Sequence, residues 1–79
     1  MSQPLNLITN KFEELPNNVE AEQSVIGSIL LTNEIFDEVS LIISSKNFYD
    51  PIHKKIFEAL EKLIYAGILA NPITLKNYF

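Results

Sequence analysis

The sequence holds a single histidine, His53. With Tyr49, Asp50 and Lys54 nearby, it brings together the residue types of a general acid/base site. The spacing argues for a plainer role. His53 falls one turn behind Asp50-Pro51, where an imidazole braces a turn by a hydrogen bond or packs on Phe48 or Tyr49. Glu20 and Glu22 offer a second candidate, a carboxylate pair. Residues two apart on a helix point in different directions, however, and the first helical turn favours acids through capping and the helix dipole. Lys54, Lys55 and Lys62 are interleaved with Glu58 and Glu61, and no aromatic platform for bases accompanies them, so they read as a solvated helix face. A phosphate-cradling loop needs glycines around a lysine, because only glycine lets consecutive backbone N–H groups approach a phosphate. The two glycines, Gly27 and Gly67, precede no Lys-Ser or Lys-Thr pair. With no cysteine and one histidine, neither a disulfide nor a zinc constellation can form. No catalytic, cofactor-binding or metal-ligating residue is expected in this chain.

The elements that must position these side chains are helices. The 79 residues are 47% hydrophobic, with five Phe and three Tyr, enough apolar material for a core in a domain small enough for stability to be marginal. Ten acidic against six basic residues give a net charge of −4, which opposes the counterion release that drives binding to phosphate backbones. Direct nucleic-acid binding is not expected. The longest aliphatic runs, Ile29 to Leu31 and Leu41 to Ile43, are far too short to span a bilayer. A soluble, cytoplasmic protein is the expectation.

Residues 1–16 mix Pro4, Asn and Gln with apolar residues at no steady period and read as a flexible leader outside the core. From Asn17 the pattern changes. Asn17 or Asn18 can cap a first helix to about Leu31, with Ala21, Val25 and Ile29 as its stripe, widened by Ile26 and Leu30. Gly27, costing about 1 kcal/mol in mid-helix relative to alanine, stands beside small Ser28 and points to close approach of another helix, in this molecule or a partner, over a simply tolerated glycine. Asn33 can cap a second helix with Ile35, Phe36, Val39, Ile42 and Ile43 on one face. Asp50-Pro51 opens a third, with Ile52, Ile56, Leu60, Leu63 and Ile64 as its stripe, Phe57 beside it and Gly67 as a left-handed cap. Asn71-Pro72 starts a fourth, which includes Ile73, Leu75, Tyr78 and Phe79. The expected fold is all-α: a small orthogonal bundle over residues 17–79 with three full helices and the start of a fourth, incomplete at its C-terminal side.

Three blocks carry a resemblance. The run from Pro16 through Glu20-Ala21-Glu22-Gln23-Ser24 to Gly27 and Leu31 resembles the opening of the N-terminal domain of bacterial replicative DNA helicases of the DnaB family. Asn47-Phe48-Tyr49, followed by His53-Lys54-Lys55-Ile56-Phe57-Glu58-Ala59-Leu60 and Leu63, resembles that family's next block at the same spacing. Ile73-Thr74-Leu75, with Asn71 where the family commonly has a capping Asp, is a third. Glu20, Glu22, Gly27, Phe48, Tyr49, His53 and Phe57 are the family-motif residues this resemblance singles out.

The resemblance implies a helical domain that forms an N-terminal collar over the ring of ATPase domains by pairing with neighbouring copies. It also implies contacts with primase and helicase loader during DNA replication. No motor residue of the family falls within these 79 positions, so the chain by itself is not expected to be an enzyme and needs no cofactor. An exposed side that includes Tyr78 and Phe79 is expected to meet the remainder of the helicase or another copy. A second reading is a free-standing regulator that mimics the collar and binds helicase or primase.

Overall fold

The computed structural model describes residues 18–79; the leader assigned to residues 1–16 lies outside the described residues. Four α-helices follow in order: α1 (Val19–Leu31), α2 (Phe36–Ser40), α3 (Pro51–Tyr65) and α4 (Pro72–Tyr78). Short 3₁₀ turns at Asn33–Ile35 and Ser45–Asn47 link them. The described residues are all helical, as the periodicity predicts.

Local chemistry sets the boundaries. The Asn18 side chain accepts the Ala21 N–H at 2.9 Å, satisfying one of the four orphan donors at the start of α1. At the start of α3 the Asp50 carboxylate accepts the Ile52 N–H at 2.8 Å, and Pro51 takes the first helical position, where its missing N–H costs nothing. That helix ends at Gly67, whose φ of 77° suits a residue without Cβ. The Ile68 N–H reaches back to the Leu63 carbonyl at 2.9 Å and the Gly67 N–H to Ile64 at 3.0 Å, the paired bonds of a Schellman close. At α4, Asn71 accepts from the Ile73 and Thr74 amides while the Thr74 hydroxyl accepts the Asn71 N–H, each at 2.9 Å. This reciprocal capping box compensates for a helix of only seven residues.

The second helix is shorter than its stripe predicts. The segment from Asn33 begins as a 3₁₀ turn, runs five residues as α2 and relaxes into turns at Leu41 and Ile42. Asn33 does not cap it. Its amide instead donates to the Ile29 carbonyl at 2.8 Å and to the Ala70 carbonyl at 2.9 Å, and its oxygen accepts the Ala70 N–H at 2.7 Å. One side chain thereby ties the end of α1 to the connection between α3 and α4, and Ala70 is buried beneath it.

Val25 and Ile29 of α1, Phe36 and Val39 of α2, and Leu60 of α3 are fully buried at the centre of the core, surrounded by Ala21, Ile43, Phe48, Phe57 and Leu63. Burying each large apolar side chain stabilises the fold by roughly 1.5–3 kcal/mol. Ile52 was expected on the inner stripe of the third helix but is 66% exposed. His53, one residue on, takes the inward position of that turn, because its ring has a buried partner.

At Gly27 a built Cβ meets no atom within 4 Å among the described residues, so no helix of the same copy approaches there. Gly27→Ala should therefore stabilise the domain by about 0.5–1 kcal/mol through helix propensity and reduced unfolded-state entropy. Thermal unfolding of the two proteins side by side checks this, and a lowered melting temperature would show an unseen close contact at Gly27.

Candidate interaction surface

Five of the seven motif residues come together where α1 crosses the start of α3. Glu22 is 1% exposed, and its carboxylate accepts the Tyr49 N–H at 2.7 Å, the Asp50 N–H at 3.3 Å and a bond from His53 Nδ1 at 2.8 Å. An ionised carboxylate only accepts, so Nδ1 is the nitrogen that carries the hydrogen. Phe48, also buried, lies edge-on to the His53 ring at 6.5 Å and against Phe57 at 5.0 Å. Phe57 in turn meets Phe36 at 5.3 Å. Tyr49 contributes its backbone while its side chain is 61% exposed.

The arrangement is a lock between elements. Glu22 satisfies two backbone donors in the segment leading into α3 and a side-chain donor one turn into that helix, so it fixes where α3 starts against α1. The expectation that Glu22 merely serves capping and the helix dipole is corrected by these bonds. His53 does brace its turn and pack on Phe48, as its spacing suggests. A hydrolytic or proton-transfer site would need the imidazole open to a substrate, and His53 is only 8% exposed.

Glu20 and Gly27 stay apart from this cluster. Glu20 is exposed in the first turn of α1, where the dipole accounts for it. The signal that could have found Glu22 was present in the sequence. It stands three residues before Val25, four before Ile26 and seven before Ile29, on the stripe that must be buried. A buried carboxylate requires donors. Among the described residues no buried side-chain nitrogen or oxygen lacks a partner, and no group of three acids and histidines is placed to hold a metal.

The open feature of the surface lies on a different face. A groove of about 440 Å³ runs between Leu30 of α1, Ile52 and Ile56 of α3, and Pro72, Leu75 and Phe79 at α4. Lys55 and Lys76 complete its lining, and both are exposed. Ile52, Ile73 and Phe79 are each more than 60% exposed, and Phe79 stands edge-on to Tyr78 at 5.3 Å. Apolar surface gathered in a concavity suits contact with protein better than it suits water. No described helix is long and apolar enough to cross a membrane.

The DnaB-like helicase N terminal domain family matches residues 14–79. The chain is 40% identical over 79 aligned residues to a replicative DNA helicase DnaB of Rickettsia typhi, covering 92% of this chain and 16% of that protein. It is 48% identical over 63 residues to that of Rickettsia felis, covering 80% of this chain and 13% of that protein. It is 42% identical over 67 residues to that of Buchnera aphidicola subsp. Baizongia pistaciae, covering 85% and 14%. The chain thus spans about one sixth or less of the length of these relatives. No solved structure gives a significant match. The matched residues take in all four helices, the Glu22 lock and the groove, and the chain belongs to the DnaB-like helicase N-terminal domain family.

Proposed function

We infer that this chain acts in DNA replication as the interaction part of a replicative helicase, supporting ring assembly and contacts with primase and loader in the cytoplasm. The observation that carries this reading is the apolar groove beside a rigid lock, within a family whose named relatives are replicative helicases. The lock holds α1 and α3 in fixed register, so the groove they wall off with α4 is a preformed surface, which lowers the ordering cost of binding. No proton transfer, phosphate cradle or cofactor enters the reading. The net charge of −4 favours protein over nucleic acid as the partner.

A chimera tests it. Residues 14–79 replace the matching segment of the Rickettsia typhi helicase, and the product is compared with the parent and with a version lacking the segment. The chimera should form rings and unwind a forked duplex at a rate within about threefold of the parent, about 0.7 kcal/mol in the barrier, while the deletion should lose ring stability. A chimera no better assembled than the deletion would rule the assembly role out.

A further inference from the structure

We propose that the groove is filled by the chain's own leader, with Phe12 against its aliphatic wall and Glu13 and Glu14 facing Lys55 and Lys76. This goes beyond the assembly reading, because docking is a property of the single chain and its test involves no partner.

Residues 5–15 lie outside the described residues, and their composition is the first argument. Leu5, Leu7, Ile8, Phe12 and Leu15 are large apolar side chains, one of them aromatic, with the acids Glu13 and Glu14 between the last two. A segment that stays in water is poor in such residues, so this one gains by covering apolar surface. The groove offers that surface: Ile52 is 66% and Phe79 69% exposed, and Ile56 and Leu75 lie between α3 and α4 in its wall.

Connectivity delivers the leader there. Asn18 caps α1, and Glu22, about 6 Å further along the helix axis, touches the Asp50 amide and the His53 ring. The leader therefore joins α1 beside the start of α3, next to Ile52 at one end of the groove. Leu30, at the other end, is about 17 Å from Val19 along α1. The six residues from Phe12 to Asn17 span about 20 Å when extended, so Phe12 reaches any point of the groove and carries Glu13 and Glu14 with it. A short tether holds the segment at an effective concentration on the order of millimolar, which populates a contact too weak to retain a free peptide.

Charge selects the groove over the other exposed apolar patches. Lys55 and Lys76 have no ion-pair partner among the described residues, and the acids of the leader supply one. Leu41 and Ile42 are also exposed, but Asp37 and Glu38 precede them and repel a second pair of acids. Ile68 and Leu69 lie beyond the far end of α3, in a run from Tyr65 to Asn71 with no cation. An outside partner of the groove then has to displace the leader, and its apparent affinity falls by the fraction of chains in which the groove is open.

The chain has no cysteine, so Asn10→Cys gives one site for a nitroxide spin label in the full 79-residue protein. Phe57 and Tyr65, roughly half a turn round α3 from Ile52 and Ile56, hold Phe36 of α2; α2 is thus across α3 from the groove and serves as the internal reference. Paramagnetic broadening of NMR signals should be strong at Ile56, Leu75 and Phe79 and weak at Val39 and Leu41. Phe12→Ser should lower the docking equilibrium at least about tenfold through loss of one buried aromatic ring, and most of the broadening at Leu75 and Phe79 with it. Glu13→Lys/Glu14→Lys should lower it roughly threefold, the scale of exposed ion pairs, and adding Lys55→Glu/Lys76→Glu should restore it. Far-UV circular dichroism verifies that each variant stays helical. An isotope-labelled chain without the nitroxide, mixed with nitroxide-bearing chain, should show no broadening at the groove. Broadening in that mixture would place the leader of a second copy there. A groove no more broadened than α2, or unmoved by Phe12→Ser, would leave it to an outside partner. Either result, or a charge reversal that restores nothing, overturns the proposal.

Discussion

Glu22→Ala is expected to remove most of the domain's stability, about 3–5 kcal/mol. The size follows from what is left behind. The Tyr49 and Asp50 amides and His53 Nδ1 all donate to this carboxylate, and alanine offers none of them an acceptor in a place water reaches poorly. A hydrogen bond to a charged group contributes about 1.5–3 kcal/mol, and orphaning a buried donor costs its full desolvation. A core of this size supplies only about 3–5 kcal/mol in net terms, so the two figures are comparable. Glu22→Gln keeps the shape and one acceptor but points an NH₂ group at donors, and roughly half the loss is expected. His53→Ala leaves the two amide bonds in place and should cost less than either. Urea unfolding followed by circular dichroism gives the free energies. Hydrogen exchange at Tyr49 and Asp50 gives a local readout: both amides should be protected in the unmodified chain and exchange much faster in Glu22→Ala. A loss below about 1 kcal/mol, or unchanged exchange at those two positions, would mean that the lock does not hold α3 in place.

The difference between Glu22 and the residues read correctly from sequence is one of range. Asn18, Asp50-Pro51, Gly67 and Asn71-Pro72 act on backbone groups within three or four residues, so their roles are legible from local spacing. Glu22 acts on groups 27 to 31 residues away, and Asn33 on Ala70, 37 residues away. Each also had a sufficient local explanation, the dipole for the acid and a helix cap for the amide. The tertiary bond prevailed because it satisfies more buried donors and acceptors than the local one. The same logic accounts for Ile52. Its spacing fits the inner stripe, but the turn it shares with His53 is rotated so that the imidazole reaches Glu22, and Ile52 moves to the groove. Gly27 has no helix of its own copy against it, since a small residue in a helix permits close approach without requiring it.

Phe57→Ala should be the most damaging change in the apolar core, at about 3–5 kcal/mol, and its effect should not stay in the core. Phe57 is 2% exposed and lies between Phe36 at 5.3 Å and Phe48 at 5.0 Å, both themselves buried. Deleting the ring opens a cavity between α2 and the segment before α3, and a close-packed interior relaxes into it only in part. The part that can relax is Phe48, which stands directly before Tyr49 and Asp50. Motion of Phe48 toward the cavity pulls those two amides off the Glu22 carboxylate. The two substitutions should therefore couple: the loss in a Phe57→Ala/Glu22→Ala double variant should fall short of the sum by about 1 kcal/mol or more, since each single change already loosens the same bonds. Phe57→Leu fills most of the space, should cost about 1–1.5 kcal/mol, and should leave exchange at Tyr49 and Asp50 close to that of the unmodified chain. Strict additivity between Phe57 and Glu22 would show that core and lock are independent, and the preformed groove would then depend on the lock alone.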